Sequence, residues 1–287
     1  MAEWHIGVIG GSGLYEPGDL QDAQEIQVNS AFGEPSGPIA TGRIGGVKFS
    51  FIARHGAGHR LSPSDVNYRA NVDALKRCGV TDLMAVSAIG SLREDIAPGE
   101  FVVVDQIIDR TLVRERSFFD KGIVAHVPLA DPVCPRLSKM AGKACGKAGT
   151  RVHQGGTYVA IEGPQFSTRA ESLMYREWGG DVIGMTAMPE ARLAREAELP
   201  YVLIGMVTDY DCWRDKGDVD VAAILKVMAG NADKARSMLT HFGAGLPKQR
   251  KASPIDTILD TAIITPKDNW DPLASSKLDA ITRRLWK

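Results

Sequence analysis

Tyr201-Val-Leu-Ile-Gly-Met-Val207 runs without a break into Thr208-Asp209-Tyr210-Asp211-Cys212-Trp213. The first seven residues are apolar and rich in β-branched side chains, the pattern of a strand buried on both faces. Such strands belong to open α/β sheets, which bind ligands just outside the carboxyl ends of their strands. Two carboxylates one residue apart therefore stand where a site is expected. Taken alone they admit four readings: a reader of a heterocycle edge, a metal site, a proton-exchanging pair, or a solvated Asp-rich turn.

Similar short runs recur on either side. Ile6-Gly-Val-Ile9, Val47-Lys-Phe-Ser-Phe-Ile52, Leu83-Met-Ala-Val86, Phe101-Val-Val-Val104, Tyr158-Val-Ala-Ile161 and Val182-Ile183 are predicted strands. Helical patterns fill the intervals at 64–76, 134–147, 168–178, 189–198 and 221–239. The alternation predicts an α/β fold in a single domain, a mixed, largely parallel β-sheet flanked by helices. That domain is expected over 1–245. Residues 246–287 form a tail, with Pro266, Trp270, Pro272 and Trp286, expected to pack on the domain or on a neighbouring subunit.

The bulk numbers narrow the function classes. The 287 residues, 44% hydrophobic and 24% charged, suffice for a sizeable core. A formal net charge of -1 argues against a general nucleic-acid or membrane-surface binder. Cys78, Cys134, Cys145 and Cys212 show neither paired nor metal-ligand spacing and read as reduced thiols. With no basic leader before the first apolar run and no apolar stretch near ~20 residues, a soluble cytoplasmic protein is expected.

Other strand ends also carry chemistry. Gly10-Gly-Ser-Gly13 can converge backbone amides and the Ser12 hydroxyl on an anion, or simply turn tightly; it lacks the third glycine of a dinucleotide fingerprint. In Ala53-Arg54-His55-Gly56, Arg54 offers a fork suited to phosphate or to a salt bridge, and His55 another donor or a protonatable neighbour; His59 and Arg60 are expected to face solvent. Ser87 and the Ala88 amide could donate to an anion at a third strand end. Phe166, in Glu162-Gly-Pro-Gln-Phe-Ser167, is placed to stack on a flat ring or to plug the core. Met185-Thr186 brings a thioether and a hydroxyl to a fourth strand end.

As a set, Ile9-Gly-Gly-Ser-Gly-Leu14, Ala53-Arg-His-Gly56, Val66-Asn-Tyr-Arg-Ala-Asn71, Gly90-Ser-Leu-Arg93, Ile161-Glu-Gly-Pro164, Met185-Thr186 and Thr208-Asp-Tyr-Asp-Cys-Trp213 resemble the purine nucleoside phosphorylase family. Within it they look like the branch acting on S-methyl-5'-thioadenosine. The match runs in order from about residue 5 to 240 and is loose in the tail. The resemblance implies a nucleoside phosphorylase fold, and phosphorolysis to adenine and 5-methylthio-α-D-ribose 1-phosphate in purine and methionine salvage. No cofactor is implied beyond phosphate as co-substrate. It implies phosphate bound by Ser12, Arg54, His55, Ser87, the Ala88 amide and Thr186. Met185 would contact the ribose, and Phe166 and Ser167 the purine side. Asp209 would protonate N7 and Asp211 accept from the 6-amino group. A homotrimer is implied, with His126 of a neighbour closing the 5' side. Val221, Ile224 and Leu225 would form the methylthio pocket, completed by a neighbour's Ile264. Gln165 stands where many relatives have arginine, and Ser12 and Ser87 where many have threonine.

Three rivals remain. A phosphorylase of 6-oxopurines such as methylthioinosine needs a donor toward O6, where this chain has acids. A hydrolytic nucleosidase would not need the phosphate set. A nucleotide-binding or redox protein is opposed by the failed glycine fingerprint, and a metal at the two acids by the lack of a nearby histidine or third carboxylate.

Overall fold

The computed structural model describes residues 3–11, 13–14, 17–214 and 221–286. Among them eleven strands form one sheet. In chain order they are β1 (His5–Gly10), β2 (Gln21–Ile26), β3 (Ile39–Ile44), β4 (Val47–Ala53), β5 (Asp82–Ser91), β6 (Phe101–Val103), β7 (Gln106–Arg110), β8 (Val152–Gln154), β9 (Thr157–Ile161), β10 (Val182–Gly184) and β11 (Tyr201–Asp209). The helices are α1 (Tyr68–Arg77), α2 (Pro135–Lys147), α3 (Arg169–Glu177), α4 (Ala187–Glu196) and α5 (Val221–Gly245), followed by the short α6 (Leu259–Ala262) and α7 (Pro272–Lys277).

β5 is the hub. β1 lies parallel to it along Asp82–Ala85, and β11 lies parallel along the opposite edge from Leu83 to Gly90. β10 then takes over the first edge, antiparallel at Gly90 and Ser91. Between the end of β1 and the start of β10, Val86, Ser87, Ala88 and Ile89 have no strand of the described residues beside them on that edge. The sheet thus opens at its centre, where backbone amides and strand-end side chains are left for a ligand.

Side-chain alternation splits the core into two layers. Phe49, Phe51, Met84, Val86, Val202, Ile204 and Met206 pack with residues of α2 and α5 such as Leu137, Ala141, Met238 and Phe242. Ile52, Leu83, Ala85, Leu203 and Val207 face the other way, onto Val72 and Leu75 of α1 and Ala191 and Leu193 of α4. This second layer also takes in the tail through Leu259, Ala262, Leu278 and Ile281. A bridge between Ala125 and Ile263 ties the tail to a distant loop, with His126 N–H donating to Ala262 O at 2.8 Å. No helix among the described residues is long and apolar enough to cross a membrane.

The expected mixed, largely parallel sheet is the one observed, with four strands added to the predicted set. β2 is almost wholly exposed and carries no apolar alternation. It is held by antiparallel pairing to β3, which pairs in turn with β4. β7 and β8 are short and half-covered. α1 starts at Tyr68 rather than at 64, because the Asn67 side chain caps it by accepting from Ala70 N–H at 3.0 Å. α4 starts two residues before Pro189, across a non-helical Met188.

Glu196, at the end of α4, is a buried acid that makes no ion pair among the described residues. Its carboxylate accepts from Phe118 N–H at 2.6 Å and Ser117 O–H at 2.7 Å, yet burial lifts it from 4.5 to about 7. The folded state therefore keeps a proton that the unfolded chain has lost. The penalty is absent below about pH 4.5, grows as pH rises and is complete above about 7. Glu196→Gln can keep both hydrogen bonds without the charge. Thermal melts should show it gaining on the order of 1–3 kcal/mol over the wild type at pH 8 and nothing at pH 4.5.

Candidate active site

A cavity of about 430 Å³ opens at the break beside β5. Its volume lies in the range of small-molecule sites. Lining residues come from the ends of β1, β4, β5, β9, β10 and β11 and from one face of α5. A larger surface groove of about 690 Å³ beside α2 mixes Asp105, Asp131, Lys139 and Lys143 without a convergent polar set.

One end of the cavity is built of donors and hydroxyls. Arg54 is buried and bonds four times to protein: Nε and Nη2 to the Glu190 carboxylate at 2.9 and 3.2 Å, Nη2 to Ile9 O at 3.1 Å and Nη1 to Val86 O at 3.2 Å. Of its five N–H groups one, on Nη1, is left over. Arg54 is thus a buried ion pair, as one of its two sequence readings had it, and it also lines the cavity. Tyr201 O–H completes Glu190 at 2.9 Å.

His55 differs from the sequence-based reading. Its Nδ1 must donate to Leu61 O, 2.9 Å away, since a carbonyl only accepts. Burial, then the nearby Arg54 charge, lowers its pKa to about 4. The neutral ring therefore presents Nε2 as an acceptor. His59 is exposed, as expected, yet it stacks on His55 with ring centroids 4.2 Å apart and also lines the cavity.

Ser87 and Thr186 face each other with hydroxyls 3.1 Å apart, and both are buried. Thr186 is the N-cap of α4 yet makes no side-chain capping bond; its hydroxyl meets Ser87 and lines the cavity. Gly11, Gly13 and Ala88 also line this end. Ser12 lies outside the described residues.

The opposite end holds the two acids. A bulge between Val207 and Asp209, facing Gly90, adds one residue to β11 and places Thr208 and Asp209 both on the cavity. Asp209 accepts from Thr208 O–H at 2.6 Å and from Asp211 N–H at 2.9 Å. Asp211 accepts from Ser172 O–H at 2.6 Å, with its backbone left-handed at φ 51°. Burial raises both acids above the ordinary carboxylate range; for Asp211 the Asp209 charge adds to it. Gly90 leaves room here, because a Cβ would stand 3.3 Å from Asp209 Oδ2 and 3.0 Å from Ile183.

The walls between are apolar. Leu14, Ile183, Met206, Ile224 and Met228 line them, and Phe166 stands half-exposed at the mouth. Gly163 permits the turn that carries Phe166: its φ is +68°, and a Cβ would meet Met185 Sδ at 2.5 Å. Met185 lines the cavity as expected.

Three residues expected at the site, Val221, Leu225 and Ser167, do not line this cavity. Val221 and Leu225 share an exposed face of α5, while Ile224, Met228 and Ala232, four apart, share the face turned inward. Ser167 lies behind the wall, its carbonyl accepting from Cys212 Sγ at 3.2 Å. His126 is exposed on the loop bridged to the tail, as is Ile264. His59, Met206 and Met228 were missed, although Met228 follows Ile224 at helical spacing.

The geometry has relatives. A family model described as the phosphorylase superfamily matches residues 5–243. S-methyl-5'-thioadenosine phosphorylase of Cereibacter sphaeroides is 53% identical over 285 residues, 98% of each chain. A crystal structure of methylthioadenosine phosphorylase from an antarctic soil metagenomic library superposes with a TM-score of 0.93 at 42% identity, covering 97% of this chain and 99% of the other. Methylthioadenosine phosphorylase from Schistosoma mansoni in complex with adenine gives 0.80 at 38% identity, covering 84% and 91%.

Proposed function

This chain belongs to the phosphorylase superfamily, and we propose that it catalyses phosphorolysis of S-methyl-5'-thioadenosine to adenine and 5-methylthio-α-D-ribose 1-phosphate. The carrying observation is the polarity of one cavity, with donors and hydroxyls at one end and two half-buried acids at the other. A phosphate oxygen forms a bond to C1' as the C1'–N9 bond breaks and its electron pair leaves with the purine. The proton lost by hydrogen phosphate balances the one taken up by the base.

The developing positive charge at C1' is stabilised by the phosphate dianion beside it. Arg54, Ser87, Thr186, the Ala88 amide and Ser12 hold that dianion. His55 accepts from its one P–O–H, because its own proton is committed to Leu61 O. Burial raises the Asp209 pKa, which favours its protonated form, and the acid gives that proton to N7. Asp211, fixed by Ser172, accepts from the 6-amino group. Met185 contacts the ribose, Phe166 the purine, and Leu14, Met206, Ile224 and Met228 take the methylthio group.

A homotrimer in the cytoplasm completes the reading. His126 and Ile264 flank the Ala125–Ile263 bridge, exposed and outside their own cavity, as parts lent to a neighbour's mouth would be. Exposed Leu112 and Val113 offer apolar surface for such contacts. Base release should be followed for methylthioadenosine, 5'-deoxyadenosine, adenosine and methylthioinosine, with and without phosphate. Methylthioadenosine should give the highest kcat/KM, and release should fall to background without phosphate. Preference for methylthioinosine would overturn the acidic-edge argument, and phosphate-independent release would indicate a nucleosidase.

A further inference from the structure

Arg114 lies outside the cavity, in the irregular chain after β7, and its side chain is 1% exposed. All of its bonds run to segments that form the cavity wall. Nε donates to Glu162 Oε1 at 3.0 Å and Nη2 to Glu162 O at 2.6 Å, with Ile161 O at 3.4 Å. Nη1 reaches Met185 O, Met188 O at 2.7 Å and Tyr68 Oη at 3.1 Å. Tyr68 O–H passes the contact on to Pro63 O at 2.8 Å.

Pro63, Ile161 and Met185 line the cavity from three separate elements: the turn before α1, the end of β9 and the loop between β10 and α4. Their carbonyls sit where regular pairing stops and need donors from elsewhere. Only a guanidinium supplies five donors in one rigid plane; a lysine supplies three from a single point. The Glu162 carboxylate is fixed in the same cluster by Ser64 O–H and Leu112 N–H. The phosphate-binding end has its own anchor in Arg54 on Glu190, although Met185 O and Met188 O, which Arg114 holds, stand on either side of Thr186.

We propose that Arg114 is a positioning residue that sets the distance between the Met185 wall and the Ile161–Phe166 wall, and so holds the nucleoside more than the phosphate in line for attack. This rests on the phosphorolytic reading above. Misplacing a reactant by about 1 Å can lower turnover on the order of 10²-fold. Arg114→Ala should therefore raise the nucleoside KM at least about 10-fold and lower kcat on that order, with the phosphate KM within about 3-fold. Arg114→Lys should recover part of both, and added guanidinium ion should restore activity to Arg114→Ala but not to the wild type. Tyr68→Phe, which cuts only the link to Pro63, should give a smaller rise in nucleoside KM and stay folded by circular dichroism.

A structural role alone would reduce the active fraction and leave both KM values unchanged. That pattern in the lysine and phenylalanine variants, or equal rises in both KM values, overturns the proposal. Failure of wild-type phosphorolysis is read on unmutated protein, so it is distinguishable from failure of the Arg114 reading.

Discussion

Asp209→Ala should lower kcat for methylthioadenosine by 10²- to 10⁴-fold, the usual contribution of a general acid. The carboxylic acid is held by Thr208 O–H and the Asp211 amide, with burial raising its pKa. A group with a raised pKa is active while protonated. In the wild type, kcat should therefore fall with rising pH, through a group titrating above the ordinary carboxylate range, and Asp209→Ala should lose that limb. An N7-methylated nucleoside supplies the control, since its base leaves without needing a proton. There the variant should approach wild-type turnover. Equal losses on both substrates would show Asp209 to be a binding group and not the acid.

Glu190→Ala should have the largest effect on stability. Its carboxylate takes two bonds from Arg54 and one from Tyr201, and both ionic side chains are almost completely buried. Removing one partner of such a pair costs about 3–5 kcal/mol, because the remaining charge is left uncompensated. Thermal unfolding should drop by roughly ten degrees. Arg54→Met combined with Glu190→Met should recover most of that stability, since well-packed apolar pairs replace buried ion pairs at little cost. Phosphate KM should nonetheless rise at least 10-fold in the double variant, because the last Nη1 donor is gone. An unchanged phosphate KM there would reduce Arg54 to a structural ion pair.

The sequence made the strand ends legible because apolar runs stop abruptly at polar residues, as Val207 does at Thr208. It also located the two acids, the Ser87–Thr186 pair and Met185, whose positions depend mainly on those ends. Features fixed by three-dimensional contact were not visible. Glu190 sits in an ordinary helical stretch, and nothing local marks it as the partner of Arg54, 136 positions away. The bulge that turns Asp209 inward is one residue of register and leaves no compositional trace. His55 reads as a donor until Leu61 O is seen to occupy Nδ1. On α5 Ile224 was named and lines the cavity, but Val221 and Leu225, as apolar as Ile224 and Met228, lie on the exposed face. β2 has no pattern at all.

The unpaired stretch of β5 behaves as a caliper. Ser87 belongs to one jaw and Gly90, beside Asp209, to the other, and both belong to the same strand. Three residues of extended chain span about 10 Å, enough to bracket an attacking oxygen, a sugar carbon and a departing ring. A strand locked to β11 along its other edge cannot stretch or slide without unpicking the centre of the sheet. The reach from nucleophile to leaving group is thus frozen into the fold. Latitude for different substrates is confined to the α5 wall and the Phe166 turn, which can be redrawn without touching the caliper.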